Sequence, residues 1–330
     1  MRWGLLSTAG IGELVLRACQ RSSRTRFVAV GSRDGGKARR FADSHGLEAG
    51  FGSYEELLAS DEVDAVYVAL PVSMHTEWTV KALEAGKHVL CEKPFATSAA
   101  DAARAFDVAE RAGRVCVEGL MWRHHPQTAL ARRLVGQGAI GALRYVRAAL
   151  SVTVPPGDIR RIRELGGGAL LDLGCYCVSG IRLFGGEPDR LYAEQVPDAA
   201  GVDLRLAATL RLPGQVLAQF DVGLELVRRD ELELVGTDGR IVVGDPWLCR
   251  GETVELIRDG RTEHLPVDPE GAYALHHDDH DVYRIEFDAV SAAVATGAAL
   301  PFGRADAVAQ ARTLEAVRVS SDRGEPVAPF

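Results

Sequence analysis

The sequence predicts two domains: a doubly wound parallel α/β sheet, then a C-terminal α+β domain with a large, mainly antiparallel sheet. Over residues 1–120, short apolar runs alternate with amphipathic segments, the pattern of βαβ units. After about residue 140, period-two strands joined by tight turns replace this pattern, which is typical of antiparallel sheets. A length of 330 residues suits two cores. We therefore expect domains at 1–120 and 121–330.

The first domain contains five short apolar strands separated by five amphipathic helices. The predicted strands are Trp3–Leu6, Phe27–Gly31, Ala65–Leu70, His88–Cys91 and Val115–Val117. The predicted helices are Gly12–Ser22, Gly35–His45, Tyr54–Ala59, His75–Ala85 and Ala99–Ala112. Right-handed crossovers between these strands place helices on both faces of a parallel sheet.

The second domain is predicted from strict alternation of apolar and polar residues. Asp203–Leu212 and Val216–Leu224 flank a Pro-Gly turn. The remaining predicted elements are a hairpin of Glu231–Val235 with Arg240–Val243, a strand at Val254–Ile257, and closing helices Arg284–Gly297 and Arg304–Ser320. We expect the last helix to pack back on the first domain. The alternating strands leave a second sheet face to cover, which favours a homodimer or homotetramer.

Composition excludes several classes of protein. The net charge of −8 and the lack of a basic stripe argue against a nucleic-acid partner. The six cysteines show neither a disulfide framework nor a zinc motif, so reduced thiols in a cytoplasmic protein are expected. No apolar run approaches the length of a membrane span. Because Met1 leads straight into a predicted strand, we expect no signal peptide.

The turn after the first strand predicts a dinucleotide site. Ser7, Thr8, Ala9, Gly10 and Ile11 lie between the strand and a helix. Such a turn directs backbone N–H groups and a helix N-terminus at a pyrophosphate. Serine and alanine replace the first two glycines of the usual glycine-rich pattern, but the position in a βαβ series still favours a Rossmann-type domain.

The tip of the second strand favours NADP(H). Ser32, Arg33 and Lys37 offer a hydroxyl and two cations to a 2′-phosphate. Asp34 is one or two positions late for the carboxylate that binds the ribose diol in NAD sites. NAD(H) is therefore the alternative cofactor. The alternative interpretation of Arg33 is that it is one more solvated arginine without a binding role.

Lys93 stands out because only four of the 38 basic residues are lysines. It follows a predicted parallel strand, where ligands bind in doubly wound sheets, and a compact ammonium with a tunable pKa suits catalysis. Glu92 before it can pair with a cation, and Pro94 restricts the chain after it. We interpret Lys87 as a solvated loop lysine.

Glu92-Lys93-Pro94 resembles a motif of the glucose–fructose oxidoreductase / inositol dehydrogenase (Gfo/Idh/MocA) superfamily. Three further segments carry the same resemblance in order: Leu70–His75, Met121–Gln127 and Gly166–Tyr176. Ser73 and Tyr176 depart from the asparagine and histidine common there, which argues against the inositol dehydrogenase branch. The resemblance implies cofactor contacts from Leu70, Pro71, His75, Glu92 and Lys93.

Tyr176 matches the position of the family's catalytic histidine, and Asp172 matches its aspartate. The two are four residues apart, so an α-helix would place them on one face. A phenol donates its proton readily when a nearby cation stabilises the phenolate, and Lys93 can supply that charge. We predict Lys93, Tyr176 and Asp172 as catalytic residues.

The resemblance implies hydride transfer to or from a hydroxyl or keto carbon of a sugar-like substrate, in deoxysugar or aminosugar metabolism among others. Lys93, Arg123, His124, Asp172, Tyr176 and His280 are the predicted substrate contacts. The run from His276 to Asp281 contains three histidines and three acids, but no second ligand cluster, so we predict no metal. An NAD-dependent glycoside hydrolase and a non-catalytic dinucleotide sensor are the competing functions.

Overall fold

The computed structural model describes residues 1–329 and separates into two compact units. The first unit contains Met1–Ala96, Ala100–Met121 and Asp279–Val308. The second contains Thr97–Ala99, Trp122–Asp278 and the chain from Ala309 onward. The domain boundary at residue 120 stays a prediction.

The first unit is built on a six-stranded parallel sheet with helices between its strands. Its strands are β1 (Arg2–Leu6), β2 (Arg26–Gly31), β3 (Ala49–Phe51), β4 (Ala65–Val68), β5 (His88–Glu92) and β6 (Cys116–Gly119). Its helices within residues 1–121 are α1 (Gly10–Cys19), α2 (Gly35–His45), α3 (Tyr54–Leu58), α4 (Val72–Glu84) and α5 (Ala99–Ala112). The strand order β3-β2-β1-β4-β5-β6 confirms a doubly wound sheet, whose topological switch point lies between β1 and β4.

An aromatic cluster explains why a late segment of the chain belongs to the first unit. Helix α8 (Asp279–Thr296) carries Phe287, whose ring lies 4.9 Å from Trp3, 5.3 Å from Phe27 and 5.2 Å from Tyr67. All three contacts are edge-on, the geometry in which aromatic pairs add about 0.5–1.5 kcal/mol each beyond burial. They hold α8 against β1, β2 and β4.

The second unit is built on an eight-stranded sheet. Its strands are β7 (Leu143–Thr153), β8 (Arg190–Pro197), β9 (Asp203–Leu212), β10 (Val216–Gly223), β11 (Glu225–Gly236), β12 (Arg240–Gly244), β13 (Thr253–Arg258) and β14 (Arg261–Pro266). The order is β14-β13-β12-β11-β7-β10-β9-β8, and only the β7–β10 pair is parallel. The mainly antiparallel prediction is confirmed.

Helices complete the second unit. Among residues 122–329 they include α6 (Pro126–Gly136), a π-helical turn at Leu170–Gly174 that we call the π-turn, and α7 (Cys175–Gly185). The last helix, α9 (Arg304–Arg323), belongs to this unit from Ala309 onward. The run Arg163–Gly185 meets the length and composition of a membrane span, with a mean hydropathy of 1.2, but 72% of its most apolar window is buried. Burial of this kind is what a core helix shows.

Several elements differ from the sequence prediction. Strands β3, β7, β8 and β14 and helix α6 were not predicted. β3 is only three residues long, and in β7 four consecutive buried residues, 148–151, interrupt the alternation. Helix α1 begins at Gly10 rather than Gly12, and β4 ends at Val68 rather than Leu70.

Candidate cofactor site and active site

The loop after β1 carries local backbone strain. Ser7 has a φ of 111°, a region that non-glycine residues rarely adopt and that concentrates at functional sites. Its Oγ accepts a hydrogen bond from Ala9 N at 2.9 Å, and its own N–H donates to Gly31 O of β2 at 3.1 Å. A Cβ at Gly10 would meet open space, whereas one at Gly12 would lie 2.6 Å from Leu5. Gly12 therefore allows α1 to approach β1.

The first turns of α1 and α4 lack side-chain caps. The side chains of the N-cap residues Ala9 and Pro71 accept no hydrogen bond from the helix backbone, whereas those of Asp34 in α2 and Ser53 in α3 do. Helices α1 and α4 follow β1 and β4, the two strands at the switch point. Uncapped N–H groups and positive helix ends suit an anion, so this edge fits the pyrophosphate of a dinucleotide.

The tip of β2 separates the candidate phosphate ligands from the candidate diol ligand. Asp34 Oδ1 accepts from Lys37 N at 2.9 Å, and this hydrogen bond lowers the pKa of Asp34. Arg33 and Lys37 are exposed, and Ser32 is buried. The hydroxyl of Tyr54 lies near the Arg33 guanidinium, which opposes the rise that burial causes in the pKa of Tyr54.

Lys93 lies just beyond the carboxyl end of β5 and is half-buried. Its backbone N–H donates to Glu92 Oε2 at 3.1 Å, and the Glu92 carboxylate also accepts from the hydroxyl of Tyr67 on β4. The Lys93–Pro94 peptide is cis, and Phe95 N donates to Glu118 Oε1 at 3.0 Å. Neighbouring strands thus hold both sides of Lys93.

His75 bridges two of the predicted cofactor loops. Its Nδ1 lies 2.8 Å from Pro94 O and its Nε2 lies 2.8 Å from Leu70 O. The ring is 1% exposed, and burial, with a smaller contribution from Lys93, lowers its pKa. His75 therefore ties the loop after β4 to the loop that carries Lys93.

The interpretation of Lys87 as a solvated lysine is wrong. Its Nζ donates to Ser60 O at 2.7 Å and to Val63 O at 2.8 Å, and the residue is only 8% exposed. Burial lowers its pKa. The flexible stem of the lysine lets its ammonium reach two carbonyl groups that are distant from Lys87 in the sequence. The sequence around Lys87 does not reveal such partners.

In the second unit, the glycine run packs against a carboxylate. Gly168 has a φ of 130°, and a Cβ there would lie 2.0 Å from Asp203 Oδ1. Asp203 Oδ2 accepts from Leu170 N, the first residue of the π-turn, at 2.6 Å. Burial raises the pKa of Asp203 to about 6, although this hydrogen bond opposes the rise. Asp203 therefore caps the turn that leads to Tyr176.

Asp172 lies within the π-turn and Tyr176 lies in the first turn of α7. The expectation of one continuous α-helix is wrong here, because a π-helical turn forms i→i+5 hydrogen bonds and adds a residue. Such turns are frequent at functional sites. The Tyr176 ring is 8% exposed and lies 5.9 Å from the buried ring of Trp247, whose Nε1 donates to Ala149 O of β7 at 3.1 Å.

The other predicted substrate residues occupy different environments. In the second unit, Arg123 is 6% exposed and its Nε donates to Ser179 Oγ of α7 at 2.7 Å. Burial, with a smaller effect of Arg123, lowers the pKa of His124 to about 4. In the first unit, His280 lies in the first turn of α8. The next residue, Asp281, is paired with Arg284 at 3.4 Å and Arg21 at 3.7 Å.

Within each unit the structure thus brings several predicted residues together: the β1 and β4 loops with Lys93 in one, the π-turn and Tyr176 in the other. Four residues that were not predicted contact these segments or the residue that joins the π-turn to Tyr176: Tyr67, Asp203, Trp247 and Gln310, whose amide donates to Cys175 O. Asp203 is the first residue of a strand that we predicted only from its alternation. The sequence around the other three residues contains no signal that marks them as partners of the site. Among residues 1–329, no group of three or more His, Cys, Asp or Glu side chains is placed to hold a metal ion.

Comparison with known proteins identifies both parts of the chain. Residues 1–120 match the family described as "Oxidoreductase family, NAD-binding Rossmann fold", and residues 128–242 match the "GFO/IDH/MocA C-terminal domain". A D-xylose 1-dehydrogenase (NADP(+)) of Haloferax volcanii is 36% identical, over 99% of each chain. A dTDP-3,4-didehydro-2,6-dideoxy-α-D-glucose 3-reductase of Saccharopolyspora spinosa is 40% identical over 78% of this chain and 79% of that protein.

A solved structure extends these matches to three dimensions. The 3-ketoreductase of Actinomadura kijaniata, crystallised with NADP and TDP-benzene, superposes with a TM-score of 0.87 at 32% identity, over 97% of each chain. The resemblance, the fold class and an NAD(P)-dependent oxidoreductase of the sugar dehydrogenase and ketoreductase type are confirmed by these matches.

Proposed function

This chain belongs to the Gfo/Idh/MocA oxidoreductase family, and we propose that it transfers a hydride between NADP(H) and a hydroxyl or keto carbon of a sugar, with Lys93 and Tyr176 acting on the reacting oxygen. The observation that carries the proposal is the carboxyl edge of the first sheet. There the two uncapped helix ends of α1 and α4 flank the switch point, and Lys93 follows the next strand.

The residues around this edge suit each part of the cofactor. The segment from Ser7 to Ile11 would bind the pyrophosphate chiefly through the N–H groups of Thr8, Gly10 and Ile11, because those of Ser7 and Ala9 donate to Gly31 O and to Ser7 Oγ. Ser32, Arg33 and Lys37 would bind a 2′-phosphate. Asp34, the candidate ligand for a ribose diol, is already engaged as the cap of α2. Leu70, Pro71, His75, Glu92 and Lys93 supply the remaining predicted contacts. The name of the xylose dehydrogenase specifies NADP(+), in agreement with this assignment.

The protein's own groups would manage the proton. The bound cofactor supplies or accepts the hydride. In reduction the substrate oxygen gains negative charge, so the Tyr176 hydroxyl would donate its proton there and the Lys93 ammonium would stabilise the oxygen by a hydrogen bond. A positioned acid of this kind contributes roughly 10²–10⁴-fold. Asp172, four residues before Tyr176, would add a polar contact to the substrate.

Three further residues are proposed to bind the sugar. The low pKa of His124, about 4, makes its imidazole neutral at physiological pH, so it can both donate to and accept from hydroxyl groups. Arg123 and His280 offer donors. A substrate rich in hydroxyl or carbonyl oxygens matches these groups, and both a sugar dehydrogenase and a keto-sugar reductase stand among the relatives.

A substrate panel with single variants tests the proposal. D-xylose and a dTDP-linked keto-sugar are each assayed with both cofactors, by the absorbance of the reduced nicotinamide. With the best substrate, Tyr176→Phe should lower kcat by roughly 10²-fold or more while cofactor affinity persists. Lys93→Ala should lose at least as much activity, and Lys93→Arg should be no more active than Lys93→Ala, because a planar guanidinium cannot replace a compact ammonium. Tyr145→Phe is the matched control, because it makes the same change at a half-buried tyrosine of β7 in the same unit. Wild-type kcat in Tyr176→Phe would refute the assignment.

We also propose a cytoplasmic homodimer or homotetramer. All six cysteines are buried, and none forms a disulfide within residues 1–329, as in a reducing compartment. One face of the eight-stranded sheet exposes Leu217 (46%) and Val196 (48%) beside the half-buried Tyr145 and Tyr192. A second copy of the chain would cover this face.

A further inference from the structure

The peptide that precedes Tyr176 is held by a side chain from another helix. Gln310 of α9 donates from Nε2 to the carbonyl oxygen of Cys175 at 2.7 Å. The Cys175 carbonyl and the Tyr176 N–H belong to the same planar peptide group. Fixing this carbonyl therefore fixes the orientation of the backbone from which the Tyr176 side chain extends.

The orientation of the Gln310 amide is determined by its second partner. Its Oε1 accepts from Arg182 Nη1 at 2.8 Å, and a guanidinium group has donors only. The oxygen must therefore face Arg182 and the nitrogen must face Cys175. Arg182 is itself fixed by two hydrogen bonds to Glu187, at 2.8 and 2.7 Å.

The contact lies at the junction between the π-turn and α7. The π-turn ends at Gly174, and α7 begins at Cys175, so the regular i→i+4 hydrogen bonds of α7 start here. Arg182 follows Cys175 by two helical turns and lies on the same side of α7. Gln310 thus spans α7 at both positions. It is 1% exposed and Arg182 is 6% exposed, and buried hydrogen bonds are costly to lose.

We propose that Gln310 is a positioning residue for Tyr176: through the Cys175–Tyr176 peptide it holds the Tyr176 hydroxyl in the orientation needed for proton transfer. This inference rests on the proposed role of Tyr176. Gln310 acts through the backbone, and Asp203 secures the opposite end of the π-turn at Leu170.

Two variants and one control isolate the effect of this hydrogen bond. Gln310→Leu removes both bonds. Gln310→Glu keeps the shape and an oxygen for Arg182 but places the other oxygen against the Cys175 carbonyl. Thr313→Val is the control, because Thr313 lies one turn further along α9, is equally buried at 1%, and its hydroxyl donates to Ala309 O within the same helix. We expect kcat to fall by up to about 100-fold in both Gln310 variants, with NADPH affinity unchanged and Thr313→Val near wild type.

A double-mutant cycle with Tyr176→Phe distinguishes positioning from general support of the fold. If Gln310 acts through the Tyr176 hydroxyl, Gln310→Leu and Gln310→Glu should change kcat little once that hydroxyl is absent. An equal loss in both backgrounds, or wild-type kcat in a folded Gln310→Glu enzyme, would overturn the inference. Wild-type kcat in Tyr176→Phe alone would instead overturn the proposed function, and the inference with it.

Discussion

Replacing Asp203 by asparagine removes a charge from the end of the π-turn and leaves the side-chain shape nearly unchanged. The carboxylate accepts from Leu170 N at 2.6 Å and contacts the glycine run at Gly168. Asparagine keeps an acceptor oxygen for Leu170. The two proteins therefore differ chiefly in the titration of one group.

Burial raises the pKa of Asp203 from 3.8 to about 6. The folded state then binds the proton more tightly than the unfolded state does. This contribution to stability is fully present below pH 3.8 and is lost as the pH rises through about 6. A difference of about two in pKa corresponds to roughly 3 kcal/mol. The stability of the native protein relative to Asp203→Asn should therefore decline by up to that amount over this window, and then stay constant.

Thermal unfolding of both proteins across this pH range measures the difference. Because the asparagine does not titrate, Tm of the native protein minus Tm of the variant should fall as the pH rises toward about 6. Asp189→Asn serves as a comparison for the loss of one negative charge at an exposed site, since Asp189 is about half exposed beside Arg211. A Tm difference that is constant, or that grows with pH, would refute the reasoning.

Two further predictions follow from the cofactor site and the open sheet face. Arg33→Ala should weaken NADPH binding and leave NADH binding unchanged, as measured by quenching of intrinsic fluorescence; equal affinities for both cofactors in the unmodified protein would contradict the NADP(H) assignment. Light scattering at micromolar concentration should give the mass of two or four chains, and Leu217→Arg should lower it, because Leu217 is 46% exposed on the face proposed to pair. A monomeric mass for the unmodified protein would contradict the proposed assembly.

The fold class could be predicted from the sequence because the pattern that sets it is local. The alternation of apolar runs and amphipathic segments predicted five of the six parallel strands, and the period-two alternation of Asp203–Leu212 predicted the second sheet. β7 was not predicted because its consecutive buried residues, 148–151, interrupt the alternation. Lys93 and Tyr176 could be singled out because each stands within a short motif whose residue types suit one chemistry.

The tertiary structure decided which groups support those two residues. Tyr67 reaches Glu92 only because β4 and β5 are neighbours, and Gln310 reaches Cys175 across 135 residues of sequence. The burial of Lys87 could not be predicted from the local sequence either, because its ammonium donates to two distant backbone carbonyls. The π-turn replaced the expected α-helix where Asp172 lies. Periodicity reports which face of an element is buried, whereas hydrogen-bond partners depend on how distant elements pack, and that information exists only in the folded chain.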